Sequence, residues 1–223
     1  MPVIIEALKE VFGKVSPYTI TALMGSSGAG KTTLLSLLRG QAHFATASGH
    51  IYVNGNEVES LVPFRDLMGF VPQDDIMYDD LTVEDNIVYS AILFNKRGFT
   101  TKEEVLPMVI YVMDLLGITF IRNSIVGSPE IKGISGGQKK RVSVAMELMK
   151  EPAFFLLDEP TSGLDAATSI SLLTSLHNLS DLGVNIVGKF IYYIHSYLLT
   201  HLFFEFENFS YITSAKTGDI WFD

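Results

Sequence analysis

Cysteine is absent from the 223 residues, so the chain has no disulfide and no thiolate to offer a metal, a composition that fits the cytosol. Basic residues are scarce. Sixteen Lys and Arg stand against 25 Asp and Glu, a net charge of −9. A nucleic-acid binder needs a positive face to displace counterions, and the only basic cluster is "KKR", Lys139 to Arg141. Nucleic acid is therefore not an expected partner. A long apolar run is missing too. The greasiest stretch, Phe190 to Phe204, carries two histidines and is shorter than the roughly 20 residues that cross a bilayer. It reads as buried strand and helix, and no transmembrane domain is expected in these residues. The N-terminal "MPVIIEALKEVF" has neither a basic lead nor a small-residue cleavage site, which argues against a signal peptide. Repeats and low-complexity tracts are also lacking.

What is present is an apolar, alternating chain. Hydrophobic residues make up 48% of it, which fits either a tightly packed core or a surface meant for a partner. Strand-like and helix-like segments alternate, the pattern of an α/β fold. "TITALMG", Thr19 to Gly25, is a strand ending in a glycine loop, and "KTTLLSLLRG" is a helix that Gly40 stops. "VNGNEV" places Asn54-Gly55 between apolar runs, a hairpin turn. "GFVPQDD" is a short strand ended by Pro72. From Leu81 to Leu116 the pattern is helical, broken by "NKRGFTT"; Thr101 and Glu104 form a capping-box pair, and Pro107 implies a kink or a later start. "AFFLLDEP" is a continuous apolar run ending in acids, as in a buried parallel strand.

"GSSGAGKT", Gly25 to Thr32, fits G-x-x-x-x-G-K-[ST] between a strand and a helix. Gly25, Ser26, Ser27, Gly28, Ala29 and Gly30 let backbone N–H groups turn in on phosphate oxygens, helped by the helix N-terminus. Lys31 reaches the β- and γ-phosphates, and the Thr32 hydroxyl ligates Mg²⁺. At the end of the apolar strand, Asp158 holds Mg²⁺ through water and Glu159 accepts a proton from an attacking water. "ISGGQKKRVSVAMELM" opens a third element. Ser135 caps a helix, Gln138 completes a capping box, and Val142, Ala145, Met146 and Met149 share its apolar face. That end offers a second anion site or is simply a capped helix.

"GSSGAGKTT", "VPQDD", "ISGGQKKR" and "LLDEPTSGLD", in this order, resemble the nucleotide-binding domain of ABC transporters. The resemblance runs from about Leu8 to Phe222, and its finer detail is most similar to the eukaryotic G subfamily of White-type half-transporters. It implies a P-loop NTPase with a RecA-like parallel-sheet core, residues 1–78 and 152–223. A helical signature subdomain, 79–151, is inserted, and the N-terminal antiparallel β part is incomplete. It also implies ATP hydrolysis with Mg²⁺, coupled to export by a membrane domain that these residues lack. The partner is a second nucleotide-binding domain, paired head to tail, at the cytoplasmic face of a membrane. By residue, Gly25 to Thr33 form the phosphate loop, and Gln73 touches Mg²⁺ and couples to the membrane part. Ser135, Gly136, Gly137 and Gln138 face the partner's nucleotide. Asp158 serves Mg²⁺, Glu159 catalysis and Asp165 the dimer contact. His195 is the best match to the family's switch histidine, though the Gln-Pro pair that follows it there is missing, and a histidine in so apolar a run serves equally as a core residue. The adenine-stacking strand is expected to precede the first residues, with Phe12 and Tyr18 packed rather than stacked. The alternative function is an ABC fragment that binds ATP without efficient turnover.

Overall fold

A computed structural model describes residues 8, 11, 13–25, 28–41, 49–190 and 209–213. Short β-branched and aromatic runs build its central sheet. β1 (Ile20–Met24), β4 (Met68–Val71), β5 (Phe154–Asp158), β6 (Asn185–Lys189) and β7 (Phe209–Thr213) pair in the order β4-β5-β6-β1-β7, every pair parallel. β6 therefore lies between β1 and β5, so the acidic strand is one strand away from the strand feeding the phosphate loop. A separate antiparallel hairpin joins β2 (Ile51–Val53) to β3 (Asn56–Val58). Asn54 and Gly55 make its turn with φ of 50 and 80°, both left-handed as a two-residue turn of this hand requires.

Successive strand side chains point to opposite faces, and both faces are covered. On one side Leu23, Leu156 and Val187 pack against Leu35 of α1 (Lys31–Leu38). On the other, Ile20, Ala22, Phe155, Leu157 and Ile186 join one core with α2 (Val83–Phe94), α3 (Lys102–Leu115), α4 (Gly136–Leu148) and α5 (Ala166–Asp181). Fully burying each such leucine, isoleucine or phenylalanine contributes about 1.5–3 kcal/mol. Phe190, at the head of the greasy stretch, is buried in this core; residues 191–208 lie outside the described residues.

The helix ends follow their capping residues. Thr82 caps α2 by accepting from Asp85 N–H, and Thr101 with Glu104 forms the full capping box of α3. α3 runs on through Pro107 from Lys102, without a later start. The box fixes the first turn firmly enough that the missing N–H of Pro107 forfeits one bond without ending the helix. Tyr18 also departs from its expected packing. It lies on a turn with φ of 60° and is 56% exposed, because the chain reverses there before entering β1.

α4 is fastened by its own basic run. Lys140 is buried, donates to the carbonyls of Pro72 and Gln73 at 3.3 and 2.9 Å, and pairs with Asp75 at 2.7 Å. Arg141 donates to the Leu116 carbonyl and to Ser171 Oγ, and Lys139 donates to the Gly127 carbonyl. "KKR" thus ties α4 to the segment after β4, to the end of α3 and to α5. A buried lysine is tolerated only with such partners.

Candidate nucleotide site

β1 ends at Met24, and the chain turns through a glycine loop into α1. Gly25, Gly28 and Gly30 have φ of 151, 78 and 86°, backbone that side chains rarely adopt. Gly30 is the N-cap of α1, in left-handed backbone and with no side chain to cap the helix, and a helix N-terminus of this kind favours an anion. Ala29 precedes it in the turn, and Thr32 and Thr33 follow in the first turn of the helix; Ser26 and Ser27 lie outside the described residues. Lys31 Nζ donates to the Gly25 carbonyl at 2.7 Å, folding the side chain along the loop. Burial lowers its pKa, and the nearby charge of Lys189 lowers it further, against the opposing pull of Glu159 and Asp158. Beside Lys31 lies a recess lined by Leu8, Val11, Leu23, Met24 and Leu34.

Asp158 is the last residue of β5, and Glu159 follows with φ of 51°, left-handed for a residue that is not glycine. The strained turn is held at both ends: Glu159 N–H donates to the Lys189 carbonyl at 3.0 Å, and its carbonyl accepts from Ser162 N–H at 3.0 Å. Lys189 also reaches the side chains. Its Nζ donates to Thr32 Oγ1 at 2.9 Å and lies 2.9 Å from Asp158 Oδ1 and 2.8 Å from Glu159 Oε1. The Asp158 oxygen is fully buried, and its contact with Nζ is ionic without the alignment of a hydrogen bond. Burial works against charge on Lys189, but the bonds to Glu159 and Asp158 outweigh it and hold its pKa above the ordinary lysine value.

The Thr32 hydroxyl and the Asp158 carboxylate are oxygen donors of the kind Mg²⁺ takes, usually one or two carboxylates with substrate phosphates. The space they share is filled by the Lys189 ammonium. As arranged, these residues do not fit a metal ion at that point. Among the described residues no trio of His, Asp or Glu gathers elsewhere to hold one.

Gln73 sits in the exposed segment after β4, its carbonyl held by Lys140. Ser135 and Gln138 bond each other: Ser135 Oγ accepts from Gln138 N–H at 3.3 Å, and Gln138 Oε1 accepts from Ser135 N–H at 2.8 Å. Gly136 is exposed, and a Cβ built there meets open space. Gly137 is buried, and a Cβ there would lie 2.2 Å from Thr168 Cγ2. Thr168 is in turn bonded to Asp165, the N-cap of α5, whose carboxylate accepts from Thr168 N–H at 3.0 Å and Oγ1 at 2.6 Å. Those two bonds, the hydroxyl's first, lower the Asp165 pKa. The structure thus makes two groups of the predicted residues. Thr32, Asp158 and Glu159 meet at Lys189, while Gly137 of the Ser135–Gln138 turn adjoins Thr168, which bonds Asp165, and Lys140 of α4 holds the Gln73 carbonyl.

A family model described as ABC transporter matches residues 8–162. The chain belongs to the ABC transporter family. ABC transporter G family member 28 of Arabidopsis thaliana is 48% identical over 79% of this chain and 16% of its own length. ABC transporter G family member 25 of Oryza sativa subsp. japonica is 42% identical over 89% of this chain and 19% of its own. The putative white-brown complex homolog protein 30 of Arabidopsis thaliana is 44% identical over 80% and 16%. The chain therefore spans less than a fifth of the length of these relatives and corresponds to their ATP-binding domain.

In this ABC domain Lys189 is the residue that motif reading passes over. The signal was present: a lysine in "NIVGKF", next to buried Ile186, Val187 and Phe190, needs anionic company. His195 lies outside the described residues, as does Phe12.

The two glycines of the α4 cap should respond oppositely to a methyl group. Gly137→Ala drives Cβ into Thr168 and should cost about 1–3 kcal/mol in urea denaturation, the usual range for overpacking. Gly136→Ala should stay within about 0.5 kcal/mol of wild type. Equal losses would show that the α4–α5 contact is looser than described.

Proposed function

We propose that this domain binds ATP on the loop 25–33, with Lys31 as the cation for the β- and γ-phosphates, and works as the ATP-driven half of a G-type exporter. The observation behind the reading is the meeting of α1's first turn with the end of β5: Thr32, Asp158 and Glu159 converge on one point beside the N-terminus of α1. In this reading Glu159 polarises the attacking water and the turn 135–138 faces the ATP of a second domain paired head to tail. Gln73 and the helical segment 79–151 address a membrane domain, the sheet elements of 1–78 and 152–223 forming the nucleotide-binding core. The site of action is the cytoplasmic face of a membrane. Gln73 keeps the coupling role and His195 the switch role that the resemblance gives them.

A second reading, binding without efficient turnover, has one observation in its favour. Glu159 already shares an oxygen with the Lys189 ammonium at 2.8 Å, and a base engaged in this way is less free to take a proton from water.

Lys31→Ala removes the loop's own cation and should weaken ATP binding by about 10–100-fold, the scale of a charge-assisted bond, in an equilibrium titration. Unchanged affinity would place the nucleotide elsewhere. For the pairing, Gly136→Asp puts a carboxylate into open space at the α4 terminus, so it should fold and bind ATP as wild type does. Its carboxylate would oppose the γ-phosphate of a partner's nucleotide. ATP-dependent dimerisation, followed by sedimentation, should be present in wild type and lost in this variant. A variant that dimerises as well as wild type would remove the signature from the interface.

A further inference from the structure

Lys189 is placed by the sheet. In the β5–β6 register its Cα lies opposite Asp158, and in the β1–β6 register it lies opposite Leu23, one residue before the end of β1. Its side chain therefore starts between the acidic strand and the strand that feeds the phosphate loop. Gly188 beside it has no room for a Cβ, which would meet the Phe190 ring at 2.5 Å. This packing, with the Glu159 N–H bond to the Lys189 carbonyl, fixes the backbone from which the lysine extends.

A lysine ammonium has three N–H groups, and here three oxygens from three segments surround it at 2.8–2.9 Å. It is only 9% exposed. Among the described residues the local charge count closes: Asp158 and Glu159 carry two negative charges, Lys31 and Lys189 two positive. Without Lys189, the described residues here would meet an incoming triphosphate with two carboxylates and the Lys31 cation. A divalent ion held by the same oxygens, at about 2.1 Å, would lie within roughly 3 Å of Nζ, where like charges repel strongly outside bulk water.

We infer that the Lys189 ammonium stands in the place of the divalent cation between the phosphate loop and the acidic strand, so that this chain takes a nucleoside triphosphate without needing a metal. The inference rests on the reading of loop 25–33 as the nucleotide site. Lys189 neutralises the carboxylates that would otherwise repel the γ-phosphate. It is tethered to the chain, so no ion has to be captured from solution.

The test is an equilibrium titration of ATP against wild type and Lys189→Met, each in excess Mg²⁺ and in EDTA. Wild type should bind with Kd values within about threefold of each other in the two conditions. In Lys189→Met, Mg²⁺ should tighten binding at least about tenfold over EDTA, a 1.4 kcal/mol difference, because the oxygens are then free to hold the ion. A wild-type affinity that falls tenfold in EDTA overturns the inference and leaves the nucleotide site intact. So does a folded Lys189→Met protein that remains indifferent to Mg²⁺. If that variant does not fold, the wild-type pair of titrations decides alone. Absence of ATP binding by wild type in both conditions would instead overturn the nucleotide reading, and this inference with it.

Discussion

An ammonium group within 2.9 Å of a hydroxyl and two carboxylates joins α1, β5 and the turn after β5 at a single point. The rest of the site hangs on that contact. It requires β6 to run between β1 and β5, as the parallel order β4-β5-β6-β1-β7 provides. It requires Asp158 and Lys189 to share a register position, and Glu159 to adopt a left-handed φ of 51° so that its N–H meets the Lys189 carbonyl while its carboxylate turns back to Nζ. Strain of this kind persists where the surroundings over-determine it, and a backbone bond plus an ion pair on the same residue do so here.

A second set of contacts serves the other end of the domain. The basic run of α4 looks suited to phosphate, yet each of its three cations is engaged by protein oxygens. Lys140 in particular joins α4 to the carbonyl of Gln73, while Gly137 sits against Thr168 and through it Asp165. The turn 135–138, the segment after β4 and the start of α5 are therefore one packed unit. The Gln73 carbonyl is thus held to α4 by a buried lysine that also pairs with Asp75.

Motif by motif, much of this was legible. The glycine loop, the Asn54-Gly55 turn, the Thr101 and Ser135 capping boxes and the apolar β5 are local patterns, set by φ preference and by hydrogen bonds a few residues apart, and all appear where the sequence puts them. What could not be read was non-local. The strand order that inserts β6 beside the phosphate-loop strand depends on pairing across more than 160 residues, and Lys189 acquires its meaning only from that order. The basic run was open to two interpretations because a lysine's partners are not encoded in its neighbours. Pro107 and Tyr18 show the other limit, where a strong cap or a chain reversal overrides the preference of one residue.

The direct test is to look for the cation itself. Crystals grown with ATP and Mn²⁺ would locate the metal by its anomalous scattering. The expected result is nucleotide on loop 25–33, Lys189 Nζ still between Thr32, Asp158 and Glu159, and no anomalous peak within about 2.5 Å of those oxygens. A metal peak coordinated by Thr32 and Asp158, with the Lys189 side chain swung away, would contradict it.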